Sequence, residues 1–236
     1  MSSPNFFRFP STAHLEWLGG GAAPRDDKLL SKDERLKLLV GDVVVEEKLD
    51  GANLGFSLDH DGSVRAQNRG NFLAKPFSGQ FTRLSAWLAE HEDGLQRLLN
   101  EDLILFGEWC AARHSLLYRD LPDWFLVFDV YDRRAKLFWS TSRRNMLASQ
   151  AGLRTVPELF RGQATETALR QLVLETPSLY ANGEGLEGIV VRRENPQWCE
   201  MRAKLVSPDF NQAIESHWSK RAIEWNRVAD QQLQPH

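Results

Sequence analysis

Cysteine is scarce, no apolar stretch is long, and neither sign of charge is in excess; each shortage closes off a class of protein. The two cysteines, Cys110 and Cys199, supply neither a disulfide framework nor a zinc-ligand spacing. A reducing, cytoplasmic location is therefore the expectation. No run approaches the roughly 20 apolar residues of a membrane span, so no membrane partner is expected. The start, "MSSPNFFRFP", lacks the basic and apolar stretches of a secretory signal. Lys plus Arg total 29 against 32 for Asp plus Glu, a formal net charge of -3. A non-specific nucleic-acid coat protein would be strongly basic. Contact with nucleic acid would have to run through a local patch. Internal repeats and low-complexity segments are missing too.

What is present is ordinary globular composition, 42% hydrophobic and 26% charged over 236 residues. The length fits one domain, read as spanning residues 1–236. "LGGGAAPRDD" (18–27) reads as a surface loop, because no Gly-Lys-Ser/Thr follows its glycines. Ser31 and Glu34 form a capping box that predicts a helix over 32–39. Strands are expected over 43–48, 53–58 and 63–68, the last two a hairpin turning at Asp61-Gly62. Phe81, Leu84, Trp87, Leu88, Leu95 and Leu98 give a helical period over 79–100. Buried strands follow over 103–109 and 124–131, helices over 142–151 and 166–175, and strands over 189–193 and 200–206. A last helix is expected over 209–228. Strands joined by hairpins with helices between them define an α+β class with antiparallel sheets.

Four places set charge inside or beside apolar strands: Lys48 in "VVVEEKLDG", Glu108 in "LILFGEWC", Glu187 in "GLEGIVV", and Arg202 with Lys204 in "EMRAKLV". Side chains alternate along a strand, so Met201, Ala203 and Leu205 face one way and Arg202 and Lys204 the other. Taken singly, each charge is an ordinary solvated strand face or structural ion pair. Taken together, charges beside apolar strands should converge on one another or on a ligand, because an unpaired buried charge is costly. Two acids and three cations around one cleft suit an anionic ligand with a divalent metal. A lysine attacks as a nucleophile only when neutral. Bringing its pKa from about 10.4 to about 7 takes about 4.6 kcal/mol. Nearby cations are the expected source of that shift, with Arg202, Lys204 and a Mg²⁺ the candidates. Gly51 is expected to free the backbone for an unusual turn and a close phosphate.

Lys48-Leu49-Asp50-Gly51 resembles the nucleotidyl-lysine motif of covalent nucleotidyltransferases, the ATP-dependent ligases and mRNA capping enzymes. Its companions follow in that superfamily's order: Phe106-Gly107-Glu108, then 127–131 "VFDVY", then Glu187-Gly188-Ile189-Val190-Val191, then 202–206 "RAKLV". "EKLDGANLGF", "AKLVSPDF" and the opening "FFRFPSTAHL" are most similar to the RNA ligase 2 type. The resemblance implies the α+β adenylyltransferase fold, the ATP-grasp-like nucleotidyltransferase domain of ligases, with antiparallel sheets flanked by helices. It implies ATP and Mg²⁺ or Mn²⁺ as cofactors. RNA, or RNA/DNA ends at a nick or break, would be the partner.

By the same resemblance Lys48 would attack the α-phosphorus of ATP and carry AMP. Glu47 would read the adenine edge and Phe128 would stack on the base. Arg69 would contact nucleotide or 5′-phosphate, and Asn53 would sit near the AMP phosphate. Glu108 would bind the ribose hydroxyls and Glu187 would help hold the metal. Lys204 and Arg202 would hold phosphate, and Asp50 would belong to the catalytic set. Arg202 departs from the usual lysine; arginine binds phosphate as a rigid fork. Only about thirty residues follow the fifth motif, so one C-terminal helix and a short tail are expected in place of an oligonucleotide-binding barrel or a helical domain. A monomer, with grip on the strand supplied by a protein partner, fits that reading. A DNA ligase, a guanylyltransferase and a non-catalytic binding relative are the alternatives. His114, Trp109, Trp124, Trp198 and Trp218 are read first as structural residues, Arg143 and Arg144 as solvated, and both cysteines as packed apolar residues.

Overall fold

The computed structural model describes residues 6–19, 29–208, 210 and 222–229. The helix α1 (Lys32–Leu38) starts on the capping box: Ser31 Oγ accepts the Glu34 N–H, and Glu34 Oε2 accepts the Ser31 N–H. Strands β1 (Val43–Lys48), β2 (Ala52–Leu58) and β3 (Val64–Gln67) come next. The long helix expected over 79–100 is broken at its start. A 3-10 turn, Gly79–Phe81, precedes α2 (Leu84–Leu98). Then follow β4 (Leu103–Trp109), β5 (Phe125–Asp132), β6 (Leu137–Phe138), α3 (Thr141–Gln150), β7 (Arg154–Thr155), β8 (Glu158–Gly162), α4 (Glu166–Glu175), β9 (Gly188–Glu194) and β10 (Cys199–Val206).

These strands make two sheets, one ordered β10-β9-β1-β8 and the other β3-β2-β4-β5-β6, with β7 added beside β5. All pairings are antiparallel except β5 with β7. β1 and β2 are consecutive in the chain yet lie in different sheets. The step between them is Leu49-Asp50-Gly51, so the lysine motif is also a crossing from one sheet to the other.

Each sheet buries one face under helices. In the first, Val43, Val45, Ile189, Val191, Ala203 and Leu205 pack with Leu38, Leu169 and Val173 of α1 and α4. In the second, Leu54, Phe56, Leu105, Phe125 and Val127 pack with Leu84, Trp87 and Leu88 of α2 and Leu147 of α3. Period-2 alternation then assigns the other faces. Glu46 and Lys48 of β1, Val190 and Arg192 of β9, and Arg202 and Lys204 of β10 all line the cleft between the sheets.

Residues 222–229 are not helical; Trp225 and Val228 form isolated bridges to Ala112 and Leu121. That part of the expected last helix is therefore corrected. The rest of it, with Trp218, and most of the glycine loop lie outside the described residues. Among the described residues no helix is long and apolar enough to cross a membrane.

Candidate active site

The cleft holds a cavity of about 760 Å³. At its centre stands Lys48, whose Nζ donates to Glu187 Oε1 at 2.6 Å and Oε2 at 2.8 Å. Glu187 arrives from the residue just before β9, because β1 pairs with β9 in the register Lys48↔Gly188. Glu108 comes from β4 opposite, where it faces Asn53 of β2. Its Oε1 accepts the Gly51 N–H at 3.1 Å.

The electrostatics differ from the sequence expectation. Burial works to lower the Lys48 pKa, but Glu187, Glu108 and Asp50 together outweigh it and lift the pKa above the ordinary value. Arg202 does not supply the lowering field, since its charge is engaged by Asp129. Burial also pushes Glu108 up to about 7 and Glu187 up to about 7, against the pull of Lys48 and with Asp50 adding repulsion. The three acids around one ammonium explain the lysine's rise, and burial explains that of Glu108 and Glu187.

The other expected residues divide between cleft and scaffold. Asn53, Arg69, Phe128, Arg202 and Lys204 all line the cavity. Asn53 Oδ1 is buried with no hydrogen-bond partner, an acceptor left for a ligand. Arg69 lies exposed in the loop after β3. Arg202 stacks on Phe9 and Phe138, its guanidinium carbon 4.7 Å and 4.1 Å from the ring centroids. Glu47 lines the cavity, but its carboxylate accepts from Ser178 Oγ at 2.6 Å and from the Leu179 N–H at 3.3 Å. Asp50 spends Oδ2 on the N–H groups of Ser115 and Leu116, at 2.6 and 2.9 Å. That arrangement holds the loop, and Asp50 also lines the cavity. His114 also lines the cavity, with Nε2 2.8 Å from Gln80 Oε1, and burial holds its pKa below the ordinary value.

A β-bulge sharpens the placement of Phe128. Phe106 pairs with Asp129 and Gly107 with Val127, so Phe128 is the extra residue. A bulge re-aims side chains, and here Phe128 and Asp129, though consecutive, both line the cavity.

Beneath Phe128 runs a charge network that the sequence reading missed. Arg144, 1% exposed and expected to be solvated, donates to Glu46 at 2.6 Å and to the Phe128 carbonyl at 2.7 Å. Arg192 donates to Asp129 at 2.6 Å and to Glu194 at 2.9 Å. Arg202 closes the chain on Asp129. Three arginines thus face three acids. The available signal was period 2: Glu46 lies two residues before Lys48, and Arg192 two after Val190, on cleft-facing positions. Gly51 was also misread. It has no left-handed φ. A Cβ there would stand 2.6 Å from the Trp109 carbonyl oxygen, so the glycine makes room for β4.

For a divalent metal the donor set fits a shared site. Among the described residues no group of three or more His, Cys, Asp or Glu side chains is arranged to enclose an ion. Glu187 and Glu108 nevertheless concentrate negative charge in the cavity. One or two carboxylates plus a ligand's phosphates are how Mg²⁺ is usually held.

Two largely antiparallel sheets enclosing a lysine-centred cleft lined by acids and cations make this an α+β protein with a charged ligand site. The chain belongs to the RNA ligase family, whose sequence model matches residues 41–206. It is similar to solved structures of the Naegleria gruberi RNA ligase. With the pyrophosphate-bound form it shares a TM-score of 0.62 and 20% identity over 88% of this chain and 64% of that one. With a variant holding ATP and Mn the values are 0.57 and 20%, over 75% and 53%. With a variant holding AMP and Mn they are 0.58 and 19%, over 88% and 64%. The chain thus spans less than two thirds of the chains it matches. No curated protein matches it.

Proposed function

We propose that this chain is an ATP-dependent RNA ligase that works through a lysyl-AMP on Lys48. The observation that carries the reading is Lys48 itself, an amine held inside a nucleotide-sized cavity beside Glu187 and Glu108, with Phe128 and Lys204 also lining that cavity. A core lysine kept only for structure has no need of the open space around it.

In the proposed reaction ATP lies with its base against Phe128, where a flat apolar face suffices. Lys48 first releases the extra proton of its ammonium; Nζ then bonds to the α-phosphorus, the bond to the leaving oxygen of pyrophosphate breaks, and a second proton leaves the nitrogen, both protons going to solvent. AMP is then transferred to a 5′-phosphate, and a 3′-hydroxyl displaces it to join two strands. Glu187 would help hold a divalent cation, whose charge offsets the triphosphate and relieves the acids' hold on the ammonium, and Glu108 would bind the ribose hydroxyls. Lys204 neutralises charge developing on the α-phosphate. Arg202, stacked and paired, serves as a fixed wall of the phosphate side.

The test is incubation with α-labelled ATP and Mn²⁺ or Mg²⁺. A labelled protein adduct is expected, absent in Lys48→Ala and weak with GTP. Adduct formation by Lys48→Ala would remove the nucleophile assignment. Strand joining is read separately, by sealing a panel of nicked duplexes that differ in sugar on each side of the nick.

A further inference from the structure

Residues 222–229 belong to neither sheet. They run along the loop that leaves β4, and the centre of the contact is Asn226, which is 2% exposed. Its Nδ2 donates to the carbonyls of Cys110 at 2.7 Å and Ala112 at 3.3 Å, and its Oδ1 accepts the Tyr118 N–H at 2.9 Å. The N–H groups of Asn226 and Arg227 donate to the carbonyls of Ala111 at 2.9 Å and Tyr118 at 3.0 Å. One amide side chain therefore ties the start of the loop to its middle. Asparagine suits the position because it presents two donors and an acceptor on opposite corners of one plane.

The loop closed in this way also grips the lysine motif. Tyr118, fully buried, accepts the Asp50 N–H on its hydroxyl at 2.8 Å. Asp50 returns the contact through the N–H groups of Ser115 and Leu116. Asp50 lies two residues beyond Lys48, and Cys110 two residues beyond Glu108. We propose that Asn226 is a positioning residue for the adenylylation step, acting through Tyr118 and Asp50 to fix where Lys48 and Glu108 stand in the cavity. The C-terminal segment is thereby a working part of the site. This inference rests on the reading of Lys48 as nucleophile.

Asn226→Ala tests it in the full chain, well below the melting temperature of the variant. The rate of lysine adenylylation at saturating ATP should fall about tenfold or more, as expected for a displaced reacting group, with the KM for ATP little changed. The Ser115 and Leu116 amides should exchange hydrogen faster in the same variant. Asn226→Asp, which keeps the shape and the acceptor but loses both donations, should shift both readouts the same way and serves if the alanine variant does not fold. Tyr118→Phe removes the contact with Asp50. If Asn226 acts through that contact, the double variant with Asn226→Ala should be no slower than the slower single variant. A folded Asn226 variant with an unchanged rate overturns the proposal, as do losses that multiply in the double variant. Absence of any adduct in the unaltered protein would instead strike the parent reading, and the exchange comparison would still report whether Asn226 holds the Asp50 loop.

Discussion

At the scale of single residues, the resting site keeps Lys48 charged. Lys48 sits in a negative field from Glu187, Glu108 and Asp50, which outweighs burial. The acids bear the consequence, and Glu108 is the clearest case because it lacks the direct bond that Glu187 makes to Lys48. Its carboxyl ionises near 4.5 ordinarily and is pushed up to about 7 in the fold, first by burial. Between those values the folded chain holds a proton that the unfolded chain has released. The contribution of Glu108 to stability is therefore fully present below about 4.5 and is lost as pH rises through about 7. The melting temperature of the ligand-free protein should fall across that window. Glu108→Gln, which keeps an acceptor for the Gly51 N–H, should fall less steeply; parallel curves would show that Glu108 is not the titrating group. Arg144 presents the opposite case, a charge fully matched. Removing it as Arg144→Met leaves Glu46, which is 1% exposed, with the longer Arg192 contact at 3.7 Å, and leaves the Phe128 carbonyl with the weaker Arg192 contact at 3.4 Å. Breaking a buried pair from one side typically destabilises by about 3–5 kcal/mol. Urea unfolding should show a loss of that order, and Glu46→Gln combined with Arg144→Met should recover part of it.

At the scale of elements, the motifs are places where strands must come close. Gly107 and Gly188 show this as plainly as Gly51. A Cβ on Gly188 would stand 2.4 Å from the Leu205 carbonyl oxygen, and one on Gly107 would stand 2.4 Å from the Phe125 ring. Gly188→Ala therefore pushes backbone against backbone between β9 and β10. The expected loss is about 1–3 kcal/mol, read by urea unfolding, with adenylylation weakened because Glu187 is the adjacent residue. An unchanged midpoint would mean that β9 gives way freely. This kind of reason was hidden in the sequence, where Gly51 suggested a turn. Strands with strong alternation or solid apolar runs, such as "VVVEEK" and "LILFGEW", were legible, and so was the capping box at Ser31. The short strands β6 and β7 were not, because two residues carry no period. β8 was missed for a different reason: "ELFRG" is an edge strand, mostly exposed, with one apolar face residue too few to register. Charges on strands were legible as cleft-lining residues. Arg144 was not, since a helix hides from the sequence which of its residues meets the neighbouring sheet.

At the scale of the whole molecule, the cavity straddles a joint. Lys48, Glu187, Arg202 and Lys204 come from the sheet ordered β10-β9-β1-β8, whereas Asn53, Glu108 and Phe128 come from the other. The chain crosses between the sheets twice, through the lysine motif and between β7 and β8, so a ligand touching both walls adds contacts where only two stretches of chain connect them. A nucleotide should then act as a brace. Anything that binds the folded state alone stabilises it by RT ln(1 + [L]/Kd), about 2.7 kcal/mol at a hundredfold excess over Kd. The two walls should answer to different halves of the ligand. Phe128→Ala should lose most of the melting-temperature rise given by AMP and keep that given by pyrophosphate with Mn²⁺. Lys204→Ala should show the reverse bias. Lys48→Ala should keep a rise with both, because its cavity survives the loss of the amine. If Phe128→Ala and Lys204→Ala responded identically to the two ligands, base and phosphate would not lie along the cavity in the order that places the α-phosphorus at Lys48.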